Sequence, residues 1–149
     1  MSDDDNEIPP IPVFYDGPII RVPDWETDWY AFIDEYQSLD HEWGTTDCVH
    51  FAMKNVGTLI GADITSMHLG KYTTQLGAFK YLKTIGYLHV HELPASFLPE
   101  THMADASRGD VVLFDDCLGV NYGSVGLFMG EEGFTSIPLR ECERVWKVG

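Results

Sequence analysis

The sequence predicts an α+β domain in which helices come first and an antiparallel sheet follows. In the first half, apolar residues recur at helical spacing between capping residues and glycines. In the second half the pattern changes to short β-type runs separated by Gly, Asp and Pro. The chain has 149 residues, of which 44% are hydrophobic, enough for one domain with a buried core. Helices followed by strands, rather than alternating with them, favour α+β.

The chain divides into an arm and one domain. Residues 1–12 are acidic and then proline-rich, and we expect a mobile arm that becomes ordered only against a partner. Residues 13–149 are predicted to form the single domain. Its first segment, residues 13–22, reads as extended chain with a turn at residues 16–18.

The first helix is predicted to start after Asp24, which follows Pro23 and serves as N-cap. Its apolar residues are aromatic and recur at helical spacing, which is more typical of a core face than of a ligand platform. This stripe consists of Trp25, Trp29, Phe32 and Tyr36.

Two further helices follow. The second is predicted from Cys48 toward Val56, with Asp47 as N-cap and Gly57 as the C′ residue. The third is predicted over residues 74–85 and ends at Gly86. One side of the second helix is expected to be buried along its length, and it carries Cys48, Phe51, Ala52, Val56 and Leu59.

The remaining chain reads as short strands. We expect them to form an antiparallel sheet that packs on the cysteine helix. The predicted strands are residues 87–90, 111–114, 125–129, 135–138 and 145–148.

The strongly negative net charge argues against direct binding of nucleic acid. The formal net charge is −15, from 24 acidic against 9 basic residues, and such a field repels nucleic acid. A basic protein partner, or simple solubility, fits the charge better. No run of 18 apolar residues exists, so we expect no membrane span.

The N-terminal residues and the cysteines indicate where the protein is expected to be and whether its thiols are reduced. Residues 1–7 lack the positive start and apolar centre of a signal peptide, so we expect synthesis and retention in the cytoplasm unless the protein leaves within an assembly. Three cysteines are not a disulfide framework, and reduced thiols are expected. Cys117 and Cys142 have no partner pattern and are predicted to be inert.

Cys48 is the candidate for chemistry. The free N–H groups and partial positive charge at a helix start favour a thiolate, the nucleophile of cysteine hydrolases. The alternative is that Cys48 is a small buried hydrophobe, as many free cysteines are. Asp47 is most simply an N-cap, and its negative charge opposes ionisation of the neighbouring thiol.

An ordered series of motifs resembles a known family. The series is an Asp47-Cys48 helix start, then the run Arg108-Gly109-Asp110-Val111-Val112-Leu113-Phe114, then Ser124-Val125-Gly126-Leu127-Phe128-Met129-Gly130. It resembles the NlpC-type branch of papain-like cysteine peptidases. The resemblance implies a papain-like NlpC fold in which the cysteine helix packs on a small antiparallel sheet. These enzymes typically cut amide bonds in peptidoglycan stem peptides.

The resemblance is closer to a subgroup of small proteins encoded by tailed bacteriophages and prophages beside their tail genes. The matching features cover most of residues 21–148. They are Arg21-Val22-Pro23-Asp24-Trp25, Trp43-Gly44, Leu69-Gly70-Lys71-Tyr72, the helix from Gly77-Ala78 to Gly86 and the segment from Leu139 to Val148.

The expected general base is missing. In the wider family a histidine opens a His-Val-Gly strand and faces the cysteine, and the resemblance places Ser124 at that position. A serine hydroxyl cannot take the thiol proton near neutral pH as an imidazole can. His102, in the loop before the Gly-Asp strand, is the candidate substitute base. Weaker candidates are His41, His50 and His68, and a metal at His89 and His91 is not favoured, so we expect neither metal nor cofactor.

Two hypotheses remain open. In the first, the chain is a structural protein of a phage tail tip or hub, with a degenerate papain-like fold. Its location is then the virion tail, after synthesis in the host cytoplasm, and its partners are other tail proteins. In the second, Cys48 is the nucleophile of an active hydrolase, a peptidoglycan endopeptidase or amidase that opens the cell wall during DNA delivery. Peptidoglycan is then a further partner.

Overall fold

The computed structural model describes residues 11–149. The predicted arm therefore lies almost wholly outside the described residues. At its end, the Pro12 carbonyl accepts a hydrogen bond of 2.7 Å from the hydroxyl of Tyr87, which anchors the start of the domain. The segment before the first helix is irregular rather than a strand.

The three predicted helices are present, and a short fourth one follows them. Their bounds are α1 Trp25–Gln37, α2 Cys48–Ile60, α3 Gln75–Thr84 and α4 Glu92–Ala95. Asp24 stands at the N-cap position of α1, but with a left-handed backbone (φ 56°) and no side-chain cap. The aromatic stripe of α1 lies in the core as predicted, with three of its four side chains buried: Trp29, Phe32 and Tyr36.

Helix α2 is longer than predicted, because its glycine stop is a different residue. Gly61 is the left-handed C-cap (φ 68°), whose N–H bonds the carbonyl of Gly57. Gly57 itself lies inside the helix, where a Cβ atom would be 2.5 Å from the Ala62 carbonyl oxygen. The Gly57 prediction was therefore wrong as a cap: the residue permits close backbone approach instead.

The strands form one six-stranded antiparallel sheet in the order β1-β6-β2-β3-β4-β5. Together with the helices this is the α+β architecture that the sequence predicts. The strand bounds are β1 Glu100–Thr101, β2 Val111–Phe114, β3 Cys117–Asn121, β4 Val125–Gly130, β5 Gly133–Pro138 and β6 Arg144–Trp146.

One predicted strand is wrong and two were missed. Residues 87–90 form a bend and turn that lead into α4, because the Glu92 carboxylate accepts hydrogen bonds from the backbone N–H groups of Leu88 and His89. His89 and His91 therefore lie in a bend and turn rather than on a strand. The missed strands are β1 and β3, and β3 matters for the site described below.

The sheet has two unequal faces. One face packs on α1 and α2 and forms the main core, with Val111 and Leu113 of β2 pointing into it. The other face carries a smaller apolar cluster of Val112, Phe128, Cys142 and Val145. Within residues 11–149, no helix combines the length and the apolar character needed to cross a bilayer.

Candidate functional site

Asp47 organises the start of α2. Its Oδ1 accepts a hydrogen bond of 2.9 Å from the His50 backbone N–H, and its Oδ2 accepts 2.8 Å from the Gly44 N–H and 2.6 Å from the Tyr72 hydroxyl. Gly44 has φ 90°, a conformation that glycine adopts without strain. The Trp-Gly loop is thus folded onto the Asp47 carboxylate, which fixes Cys48 as the first helical residue.

His50 is a structural partner of this loop. Its Nδ1 lies 2.9 Å from Asp47 Oδ1, and its Nε2 lies 3.2 Å from the carbonyl oxygen of His68. The ring is buried, and both of its nitrogens are engaged by these oxygens. His50 and His68 therefore hold the loop together, and His50 has no free nitrogen to offer Cys48.

The electrostatics keep Asp47 ionised. Burial raises the pKa of Asp47, but the hydrogen bonds and charge of His50 and the Tyr72 hydroxyl outweigh it, so the pKa is lowered overall. Burial, followed by the Asp47 charge and hydrogen bond, raises the pKa of Tyr72 far above its ordinary value. Tyr72 thus remains a hydrogen-bond donor to a carboxylate under all physiological conditions.

Cys48 lines an open groove of about 480 Å³. One wall comes from α3, with Phe79 about half exposed, and another from the loop before α2, where His41 and Trp43 meet edge to face. The turns that close the β2–β3 and β4–β5 hairpins contribute acidic side chains to the same groove: Asp115, Asp116 and Glu131. The groove therefore combines aromatic and acidic walls around a half-buried thiol.

Cys117 is the neighbour of Cys48. It is the first residue of β3, follows a turn in which Asp115 and Asp116 are left-handed (φ 50° and 58°), and pairs with Phe114 of β2. The Cys117 side chain lines the same groove as Cys48. The nearby Cys48 thiol is the first cause that raises the pKa of Cys117, ahead of burial and the negative charges of Asp47 and Asp115.

Ser124 lies elsewhere. It is exposed, directly before β4, whereas the groove is lined by the other end of β4, at Met129 and Gly130. Its neighbour Tyr122 stacks on Trp29 with ring centroids 5.5 Å apart, beside the middle of α2. The structure thus does not bring Ser124 to the groove of Cys48, which Cys117 lines instead.

His102 is not near Cys48 either. It is exposed, and its Nδ1 accepts a hydrogen bond of 3.1 Å from the Ala104 N–H, which caps a short 3-10 helix. The following Met103 packs on the smaller apolar cluster, on the sheet face away from α2. His41 is the histidine that the structure places on the groove that holds Cys48.

The Gly-Asp motif has a structural role. The Asp110 side chain is fully buried and forms ion pairs of 3.2 Å with both Arg21 and Lys147. It also accepts hydrogen bonds from the backbone N–H groups of Ser107 (2.7 Å) and Val148 (3.0 Å). These contacts join the segment before α1, the start of β2 and the segment after β6. The motif residues Arg21 and Asp110 therefore stabilise the packing of these three segments.

Metal binding has no cluster to support it. Within the part of the chain that the structure describes, no group of three or more His, Cys, Asp or Glu side chains is arranged to hold an ion. The rings of His89 and His91 stack on each other, with centroids 5.4 Å apart.

Fold and site together define an α+β domain with a cysteine at a helix start, in a groove it shares with a second cysteine. The chain belongs to the family described as Domain of unknown function (DUF6950), whose model matches residues 20–148. No curated protein and no solved structure matches the chain. The matched range contains α1, the cysteine groove and the Asp110 contacts.

Proposed function

We propose that this chain is a tail tip or hub protein of a tailed bacteriophage or related particle. It has a papain-like NlpC fold whose groove binds its ligands but does not hydrolyse amide bonds. The α+β order and the packing of the Asp-Cys helix on an antiparallel sheet support the NlpC part of this proposal. The phage-tail part rests on the motif series of residues 21–148. The net charge of −15 suits docking to basic surfaces of neighbouring subunits.

The neighbour of the Cys48 thiol carries the non-hydrolytic proposal. A cysteine hydrolase needs a base within hydrogen-bond reach to take the thiol proton. The second cysteine of this groove is Cys117, and the nearby Cys48 thiol, burial and negative charge raise its pKa, which keeps it protonated near neutral pH. A protonated thiol cannot accept that proton, and the imidazole of His50 is held by Asp47 and the His68 carbonyl.

Alkylation of the reduced protein and a cell-wall assay test this proposal. We expect slow reaction of Cys48 with iodoacetamide at about pH 6, where only a thiolate of lowered pKa reacts quickly. We also expect no release of peptides from purified peptidoglycan. Rapid alkylation that is lost in Cys48→Ala, together with peptide release, would overturn the non-hydrolytic part.

The location has its own test. Particles purified from a host that carries the gene are analysed by mass spectrometry, with an abundant cytoplasmic protein as the contamination control. We expect the chain in the particles at a constant ratio to the major tail proteins. Its absence from particles that contain those tail proteins would refute the tail assignment.

One observation favours the second candidate, an active peptidoglycan hydrolase. His41 and Cys48 line the same groove, and Cys48 stands at the N-terminus of a 13-residue helix. In this candidate His41 takes the thiol proton, Cys48 attacks the amide carbonyl, and backbone N–H groups at the helix start stabilise the oxyanion.

A histidine pair separates the two candidates. If His41 is the base, His41→Gln abolishes peptide release, whereas His102→Gln, a change at an exposed histidine on the far sheet face, leaves it intact. Equal loss in both variants, or no release by the wild type, refutes the His41 mechanism.

A further inference from the structure

Two cysteines line one groove, at the start of a helix and at the start of a strand. Cys48 is the first residue of α2, and Cys117 is the first residue of β3. They are 69 positions apart in the sequence, yet both line the same open groove. The third cysteine, Cys142, is buried in the cluster on the other face of the sheet and its Sγ contacts the Pro138 carbonyl.

We propose that Cys48 and Cys117 are a redox-active dithiol that closes reversibly to a disulfide by exchange with a small-molecule disulfide. The proposal does not depend on whether the groove hydrolyses amide bonds. It follows from the position of both cysteines on one open groove, from the partial exposure of both side chains, and from the separate burial of Cys142.

The two cysteines differ in their surroundings, and the difference assigns their order of reaction. Cys48 is half-buried on the groove at the N-terminus of α2, so we expect it to meet the oxidant first. The nearby Cys48 thiol, burial and negative charge raise the pKa of Cys117, which keeps it a thiol. It becomes the resolving thiol once the Cys48 sulfur has reacted.

The exchange balances in two steps. The Cys48 thiolate attacks one sulfur of oxidised glutathione, forms a mixed disulfide and releases one glutathione thiolate. The loss of the Cys48 thiol removes the partner that raised the pKa of Cys117. Cys117 then gives its proton to solvent and attacks the Cys48 sulfur, which forms the Cys48–Cys117 bond and releases the second glutathione. Two protein thiols are oxidised, and one glutathione disulfide is reduced to two thiols.

The disulfide would change the groove. It would tie the N-terminus of α2 to the β2–β3 hairpin and would remove the only two thiols that line the described groove. Ligands that require a free Cys48 would then bind or react only with the reduced protein. The dithiol therefore gives the groove a redox-dependent state.

Peptide mapping of the wild type tests the proposal directly. The reduced protein is equilibrated with oxidised glutathione, quenched with acid, alkylated and digested under non-reducing conditions. We expect a peptide pair linked through Cys48 and Cys117, with Cys142 alkylated. A wild type that retains glutathione on Cys48 beside an alkylated Cys117, or a bond that involves Cys142 or a second chain, would overturn it.

Serine variants test the order of reaction. In Cys117→Ser we expect the glutathione adduct to accumulate on Cys48. The matched control Cys142→Ser should form the disulfide as the wild type does. In the wild type quenched early, before the disulfide has formed, glutathione on Cys117 rather than on Cys48 would refute the assigned order. Circular dichroism checks that each variant is folded, and the wild-type map decides the main point without them.

Discussion

Substitution of Asp47 by Asn tests the hydrogen-bond arrangement that presents Cys48. Each carboxylate oxygen accepts one backbone N–H, from Gly44 on one side and from His50 on the other. An asparagine amide offers one acceptor oxygen and one NH₂ group. In either orientation, the NH₂ group faces one of these two backbone donors, which then lies buried without an acceptor.

The expected loss is about 2–4 kcal/mol in the free energy of unfolding. One buried unsatisfied donor costs about 1–3 kcal/mol, and exchange of charge-assisted bonds for neutral ones costs about 1 kcal/mol more. Asp47 is 1% exposed, so water cannot replace the lost acceptor. The loss is therefore larger than for an ordinary helix cap.

Urea unfolding followed by circular dichroism measures this loss. The matched control is Thr74→Ala at the N-cap of α3, where Oγ1 accepts one exposed hydrogen bond of 3.0 Å from the Gly77 N–H. We expect about 1 kcal/mol for that change. If Asp47→Asn costs no more than Thr74→Ala, with equal m-values, the role of Asp47 as acceptor for both Gly44 and His50 is wrong.

The dependence of the free energy of unfolding on acidic pH gives the same test a second readout. Since the pKa of Asp47 is lowered in the folded state, its contribution is complete above the unfolded carboxyl pKa of about 4 and is lost as the pH falls through the folded value. The stability difference between the wild type and Asp47→Asn should therefore shrink below about pH 4. The pKa values of the exposed carboxyl groups of Asp63 and Glu100 are also lowered, but both proteins share them, so they cancel. A constant difference down to about pH 3 would contradict this account.

Two further predictions concern the closure of the domain and the cysteine loop. Asp110→Asn should cost about 3–5 kcal/mol in urea unfolding because it removes the buried charge that pairs with two partly buried cations, whereas Glu100→Gln at an exposed ion pair should cost about 0–1 kcal/mol. Equal costs would refute the structural role of Asp110. Gly44→Ala should lower the urea unfolding midpoint by more than Gly70→Ala does. Both glycines have positive φ, but of the two only Gly44 would bring a Cβ against backbone, 2.1 Å from the Tyr72 carbonyl oxygen. Equal urea midpoints for the two variants would show that the Gly44 loop adjusts freely.

Much of the fold is readable from local patterns. A short β-type run bounded by turn residues located β2 over its full length, and the Asp47 cap located the start of α2. The end of α2 was misplaced because a glycine can mark either a cap or a close backbone contact, and only the tertiary neighbour Ala62 distinguishes them. Local sequence does not contain that neighbour.

The site was harder to predict because it depends on one missed strand. Strand β3 contains Gly119 and Asn121, both poor strand formers, and the turn before it is Asp-Asp rather than the common Asn-Gly or Asp-Gly. Without β3, the strand with the Val-Gly pattern is β4, and the residue directly before it is Ser124. With β3 in place, the residue that follows the Gly-Asp strand and its turn is Cys117. The Asp115-Asp116 pair was the sequence signal for a turn there, and in the structure both residues are left-handed.

The position of β6 has a consequence for the order of folding. Strands β2 to β5 form consecutive antiparallel pairs, which local contacts can assemble early. The last strand in the sequence, β6, inserts between β1 and β2, and Lys147 and Val148 beyond it complete the contacts of Asp110. We therefore expect the β2–β5 meander to form first and the insertion of β6 to be the slow, committing step. Until β6 has inserted, the Asp110 carboxylate lacks its contacts with Lys147 and Val148.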